Sequence, residues 1–333
     1  EGYSYIWDES IYVPEKIINT KIQIGLSGDI ILQDDFREQI TYDSCKRKID
    51  DYYVFPGVTY NMLDENENVQ RFDIEEEQKL FDLLDNRLFT VITGNHKSGK
   101  SLLAKRIFKY FYDKGKKPLF IEASGVNKKK MQKIIDYVFQ EEYSADNHAY
   151  EKYKQLDKSQ KIAIIDEANM LSQQTLDALV SFLEQQIGQI IIFSEVEINL
   201  NVRKQVVQTL VDENELTLNI KSFLYDKRKV LINNILRHSD KDYNVEIETT
   251  KINDLINMQV KYFNLDPEFI INFVNQYEMD INFKFTAGMN VFNVVYESSI
   301  KNQIIANSTG IDPTHVINIL RELAYKMHFE KKS

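Results

Sequence analysis

The stretch Leu88-Phe89-Thr90-Val91-Ile92-Thr93-Gly94-Asn95-His96-Lys97-Ser98-Gly99-Lys100-Ser101-Leu102 joins a short apolar run to a loop spaced G-x-x-x-x-G-K-S, and the loop to an amphipathic segment. Leu88 to Thr93 has the length and composition of a buried parallel strand. After the loop, Leu103, Ile107 and Phe111, with Phe108 and Tyr112, recur at helical spacing, so a helix begins near Lys100. Strand, glycine loop and helix in this order have a specific physical use. Glycines let the backbone wrap an anion closely, successive N–H groups and the helix N-terminus point at it, and no side chain blocks the approach. The anion this spacing fits is a nucleoside triphosphate, with Lys100 reaching the β- and γ-phosphates and Ser101 ligating Mg²⁺. Only 11 glycines occur in 333 residues, which makes a chance match between the correct flanks improbable.

Outward from this loop the alternation repeats. Pro118 to Ile121 reads as a strand, Met131, Ile134, Ile135 and Val138 as a helix, and Ile162 to Ile165 as a strand. Leu176, Leu179, Val180 and Leu183 then mark a helix, and Ile190 to Phe193 a further strand. Alternation of this kind predicts a parallel sheet covered on both faces and an α/β fold. The strand Ile162 to Ile165 ends in Asp166-Glu167. There Asp166 is placed to hold Mg²⁺ through its hydration shell, and Glu167 to orient and deprotonate an attacking water.

The flanks differ. Residues 1–60 look strand-like, with a hairpin expected over Ile22 to Leu32 around Gly28-Asp29. Pro56-Gly57 and Asp64 to Gln70 read as a linker, and Ile74, Leu80, Phe81 and Leu84 as an amphipathic helix. Leu216 to Ile220 reads as one more strand, beyond which the pattern is almost wholly helical, ending in the stripe Val316, Ile319, Leu320, Leu323, Ala324 and Met327. The expected division is a β-rich segment over 1–60, a nucleotide-binding core over 61–238 and an all-α lid over 239–333.

Composition narrows the class. With 43% hydrophobic residues and 12% aromatics the chain can bury a core. The single cysteine, Cys45, excludes an internal disulfide and a multi-cysteine zinc site, and points to a reducing, cytoplasmic setting. No apolar run approaches the roughly 20 residues that span a bilayer, so no membrane partner is expected. Lys and Arg number 41 against 51 Asp and Glu, a net charge of −10 that weakens any reading in which the whole surface grips nucleic acid. The five histidines have no metal-site spacing, and the tyrosines and phenylalanines read as core. The first residue is Glu, which makes a piece of a larger protein the expectation.

The loop and the Asp-Glu strand end resemble the additional-strand class of P-loop NTPases, in which the glutamate is the catalytic base and a further strand lies between the loop strand and the Asp-Glu strand. With the helical C-terminal region, residues 60–333 are similar to a STAND-type signalling NTPase, a branch of the AAA+-related ATPases. The resemblance implies ATP and ADP as ligands with Mg²⁺, a nucleotide cradle from Gly94 through Leu102, and catalysis by Lys100 and Glu167. It places a γ-phosphate sensor at Ser194, with Asn199 or Arg203 as alternatives, and a degenerate lid motif at Asn264-Leu265-Asp266-Pro267, where Pro267 alone fits. Arg228 and Arg237, on a helix predicted from Tyr225 to Leu236, are candidates for phosphate or neighbouring-subunit contact but read more simply as surface arginines. Such proteins couple nucleotide state to opening and homo-oligomerisation between an effector and a sensing domain, and bacterial examples serve signalling and antiviral defence. Two other readings stand beside this one: an AAA+-like ATPase acting on DNA, and a non-hydrolysing scaffold that uses nucleotide structurally.

Overall fold

The computed structural model describes residues 30–42, 47–63, 69–126, 133–143, 147–195, 215–239, 241–242, 244–259 and 266–279, together with residues 315, 316, 318, 319 and 322. In chain order its elements begin with helices α1 (Asp34–Thr41) and α2 (Ile49–Tyr52) and strands β1 (Val58–Leu63) and β2 (Val69–Ile74). Helix α3 (Glu77–Leu84), strand β3 (Phe89–Thr93), helix α4 (Lys100–Asp113) and strand β4 (Lys117–Glu122) follow. Next come helices α5 (Ile134–Glu142) and α6 (Asn147–Gln155), strand β5 (Lys161–Asp166), helix α7 (Gln173–Glu184) and strand β6 (Gln189–Ser194). Strand β7 (Glu215–Ile220) leads to helices α8 (Tyr225–Arg237), α9 (Val245–Gln259) and α10 (Pro267–Met279). The chain divides into two compact units built from interleaved stretches: Glu1–Asp43, Phe81–Thr93 and Ser101–Thr217 form one, and Ser44–Leu80, Gly94–Lys100 and Leu218–Ser333 the other.

The first unit holds four parallel strands in the order β3-β6-β5-β4. Every residue of β3, β5 and β6 is buried, at odd and even positions alike, so both faces are covered and the layers number three. This explains why these strands are uninterrupted apolar runs in the sequence. Leu103, Ala104, Ile107 and Phe108 of α4 and Leu179, Val180 and Leu183 of α7 are buried at helical spacing, each large side chain contributing about 1.5–3 kcal/mol. β6 lies between β3 and β5, as the additional-strand class requires. The fold is that of a P-loop NTPase.

The N-terminal stretch is less strand-like than its sequence. Among the described residues before 58, α1 and α2 are helical, and of the expected hairpin Ile30 to Leu32 form an irregular extended segment, the remainder lying outside the described residues. The alternation is real: Ile30 and Leu32 are buried and Ile31 is exposed. Side chains rather than a ladder engage this backbone, since Lys117 Nζ donates to Ile30 O and Leu32 N to Tyr112 Oη.

In the second unit β1 pairs antiparallel with β2 from Val58 opposite Ile74 to Leu63 opposite Val69, and with β7 through Val58, Thr59 and Tyr60 opposite Ile220, Asn219 and Leu218. Of the linker expected at Pro56-Gly57 and Asp64 to Gln70, Gly57 leads into β1, Val69 and Gln70 open β2, and Asp64 to Asn68 lie outside the described residues; the strands on either side form a hairpin. Polar side chains at Thr59, Asn61, Gln70, Arg71 and Asp73 hid it, because a hairpin's two faces mix what a linker concentrates. Helix α8 packs on α9, α10 and α2. Its buried Leu231, Ile232, Ile235 and Leu236 share a core in this unit with Ile252, Ile256, Phe269, Ile270, Phe273 and Val274, and the all-α character expected here holds in the described part. Of the final stripe, residues 316 and 319 are helical and the others lie outside the described residues, as do Cys45, Asn199 and Arg203.

Candidate phosphate and metal site

Parallel strands bring their carboxyl ends to one edge. In the first unit Thr93 of β3 lies opposite Ser194 of β6, and Asp166 of β5 opposite Glu122 of β4, so the strand end entering Gly94 shares an edge with Ser194 and Asp166. Ligands of open α/β sheets bind at this edge. Asp166 is buried, and its Oδ1 accepts the Glu167 N–H at 2.9 Å. Glu167 is exposed and left-handed at φ 55°, ψ 36°. The turn after it is closed by Met170 N donating to Glu167 O (2.8 Å), and Asn169 Oδ1 accepts from Glu195 N (3.2 Å). That last bond ties the Asp-Glu turn to the residue after Ser194. Sequence reasoning missed Asn169, although it sits three positions beyond Asp166.

The loop is strained in the way an anion cradle needs. Lys97 (φ 60°) and Glu167 are the non-glycine residues with positive φ among those described, and both fall in the predicted site. Such backbone costs of order 1–3 kcal/mol and clusters at functional positions. Gly99 also has positive φ (92°), and a Cβ there would meet open space. At Gly94 a Cβ would stand 2.7 Å from Ser98 Oγ and 3.0 Å from Ile220 Cβ, so a side chain there would press on both. Ser98 Oγ is buried without a hydrogen-bond partner. Lys100, also buried, folds its Nζ back to Gly94 O (3.0 Å) and Asn95 O (2.7 Å). Asn95 and His96 are exposed, Leu102 is half-buried, and Ser101 presents an exposed hydroxyl in the first turn of α4. An orphaned hydroxyl, a glycine where a Cβ would crowd the loop and a buried ammonium held by loop carbonyls fit a phosphate group. Ser101 and Asp166 are oxygen donors of the type Mg²⁺ takes; no cluster of three or more metal-binding side chains occurs among the described residues.

In the second unit Pro267 opens α10, with Asp266 as its N-cap accepting Phe269 N at 2.7 Å. The next residue, Glu268, accepts from Lys97 Nζ at 3.2 Å, so this turn lies against the loop. Burial pushes the Asp266 carboxyl above its usual range, with Phe269 N–H, Lys97 and His96 pulling it down. Glu268 was not singled out in the sequence, where only its neighbour Pro267 carried a motif.

Two further residues depart from expectation. Arg228 is buried rather than a surface arginine: a guanidinium nitrogen donates to Asn257 Oδ1 at 3.0 Å, the group lies 5.7 Å from the Tyr225 ring, and burial lowers its pKa. It locks α8 to α9, and a helical pattern alone did not reveal that its position faces inward. Arg237 is exposed at the end of α8. Lys105, on α4, donates to Gln39 O at 2.9 Å; burial pushes its pKa down, against the pull of Glu122 and Asp166.

No protein-family model matches the sequence, and no curated protein matches it. Among solved structures the chain is similar to a DNA replication initiation factor, at 12% identity over 68% of this chain and 64% of that one, TM-score 0.41. It is also similar to the replication initiator DnaA bound to AMPPCP and single-stranded DNA (14%, 69% and 65%, 0.39) and to the ADP form of the Aeropyrum pernix ORC2 protein (14%, 66% and 67%, 0.44). The chain thus spans less than two thirds of the length of the first two. At such identities and scores the likeness carries no weight beside the strand order itself. No helix among the described residues is long and apolar enough to cross a membrane.

Proposed function

We propose that this chain binds and hydrolyses ATP at the loop Gly94 to Ser101, and that nucleotide state is read by the helical region through α10. The observation that carries the reading is the orphaned Ser98 hydroxyl inside a G-x-x-x-x-G-K-S loop whose entering strand shares a sheet edge with Asp166. Loop N–H groups and Lys100 would hold the phosphates, Lys100 leaving its carbonyl partners to do so. Mg²⁺, held by Ser101 and by Asp166 through water, would neutralise charge on the β- and γ-oxygens. Glu167, exposed beyond a buried strand, is free of a salt bridge among the described ion pairs and would take the proton of the attacking water. Ser194, at the end of β6, would sense the γ-phosphate.

The switch follows from Lys97. Its ammonium, carried by the loop, reaches Glu268 at the start of α10, so a bound phosphate would compete with that carboxylate for one cation, and a ligand that changes this contact would shift the population of α10 positions. A regulated, STAND-like ATPase that assembles with further copies or neighbouring domains is the function this arrangement supports, with signalling or defence as its setting. Steady-state ATP turnover tests it. The wild-type chain should release phosphate in a Mg²⁺-dependent reaction and Glu167→Gln should retain ATP binding while losing turnover by about 10²-fold or more. Equal turnover in both would remove Glu167 from the mechanism.

A further inference from the structure

Away from the phosphate edge, at the amino end of β5, the first unit contains a cavity of about 330 Å³. Three lysines line it, Lys154 from the last turn of α6, Lys158 from the connecting turn and Lys161, the first residue of β5; the exposed Lys154 pairs with Glu151 Oε1 at 2.5 Å, which leaves the ammonium groups of Lys158 and Lys161 for the cavity. Lys161 is only 6% exposed. Its Nζ donates to Lys154 O at 3.0 Å and sits 5.1 Å from the centre of the Tyr153 ring, and burial lowers its pKa although Asp157 pulls the other way. Lysines at such depth are rarely left without a carboxylate in hydrogen-bond contact. Asp157 is turned to its own loop, accepting Ser159 N at 2.8 Å, and Lys158 Nζ reaches only a carbonyl, Glu184 O, at 3.3 Å. Tyr153 also lines the wall, and its hydroxyl is buried with no hydrogen-bond partner. Gln185 and Gln186 add amides at the rim, while Ile135, Leu156 and Ile187 supply an apolar wall.

A concave wall that mixes apolar side chains with convergent polar groups, at the small end of the size range of ligand cavities, is the form of a small-molecule site. Its charge selects the ligand: the ammonium groups of Lys158 and Lys161, neither paired with a carboxylate among the described ion pairs, favour a compact dianion on a chain of net charge −10. We propose that this cavity binds a small phosphate ester, with the phosphate on Lys158 and Lys161 and the apolar body against Ile135, Leu156 and Ile187. The site is separate from the nucleotide loop: Lys161 and Asp166 are opposite ends of one strand, about 16 Å apart at 3.3 Å per residue. The proposal does not rest on the ATPase reading.

Phenyl phosphate is the probe, titrated calorimetrically into the full chain carrying Lys100→Ala, so that the nucleotide loop contributes nothing. Saturable binding with a Kd below about 1 mM is expected, weakened by about 10-fold or more in Lys158→Glu and unchanged in Lys152→Glu, an equal charge change on the exposed side of α6. Thermal melts of the three chains establish that each is folded. The proposal is overturned by absence of saturation up to about 10 mM, by equal affinity in Lys158→Glu, or by equal affinity for benzoate, which would mark a general anion site instead of a phosphate site.

Discussion

Ser98 carries a cost in the folded chain that only a ligand relieves. A buried hydroxyl without a partner destabilises by about 1–3 kcal/mol, while a phosphate oxygen beside it would accept its proton. Ser98→Ala should therefore raise the thermal stability of the ligand-free chain and weaken ATP binding, two effects of opposite sign in one variant. Calorimetric melts with and without ATP check this, and a variant less stable than wild type in the absence of nucleotide would contradict it. The same trade is visible at Lys97 and Glu167, whose left-handed backbone a glycine would adopt without strain. Stability is spent at these positions because their geometry is needed.

At the scale of elements, the outer strand β4 is covered by the end of α5. Glu142 Oε1 accepts Phe120 N at 2.7 Å and the Tyr143 hydroxyl donates to Pro118 O at 2.6 Å, so two side chains satisfy backbone groups of β4. Glu142 is fully buried, and burial pushes its carboxyl well above the ordinary value of 4.5. The folded chain thus keeps a proton that the unfolded chain loses above about pH 4.5. Between that pH and the raised native value the native state binds more protons, so stability falls as pH rises, by up to about 1.4 kcal/mol per unit. Glu142→Gln keeps the acceptor for Phe120 N without the ionisation. Its unfolding free energy by denaturant titration should equal or exceed wild type at pH 7 and lose this slope; a variant much less stable at pH 7, with the slope retained, would contradict the account. None of this was legible in the sequence, where Glu142 reads as the polar end of a helix. The buried strands were legible, because covering both faces makes β3, β5 and β6 contiguous apolar runs. The insertion of β6 between β3 and β5 came only from the resemblance, since residue patterns fix a strand's burial and not its neighbours. The β1–β2 hairpin was illegible because its polar positions imitate a linker, and the Lys97–Glu268 contact because it joins residues 171 positions apart.

For the whole molecule, charge is the deciding quantity. A net charge of −10 repels polyanions at long range, while a loop of N–H groups around Lys100 holds a phosphate at short range, where local geometry outweighs the net field. Mobility-shift titrations with single- and double-stranded DNA at about 50 mM salt should leave the probe free at micromolar chain concentrations; tight binding that weakens steeply with salt would favour the DNA-acting ATPase over the switch. The central claim, that one loop of this chain holds ATP for hydrolysis, is tested most directly by calorimetric titration of Mg²⁺-ATP into three versions of it. Wild type and Glu167→Gln should bind with similar affinity at one site per chain, and Lys100→Ala should bind at least about 100-fold more weakly. Unchanged affinity in Lys100→Ala would contradict the account.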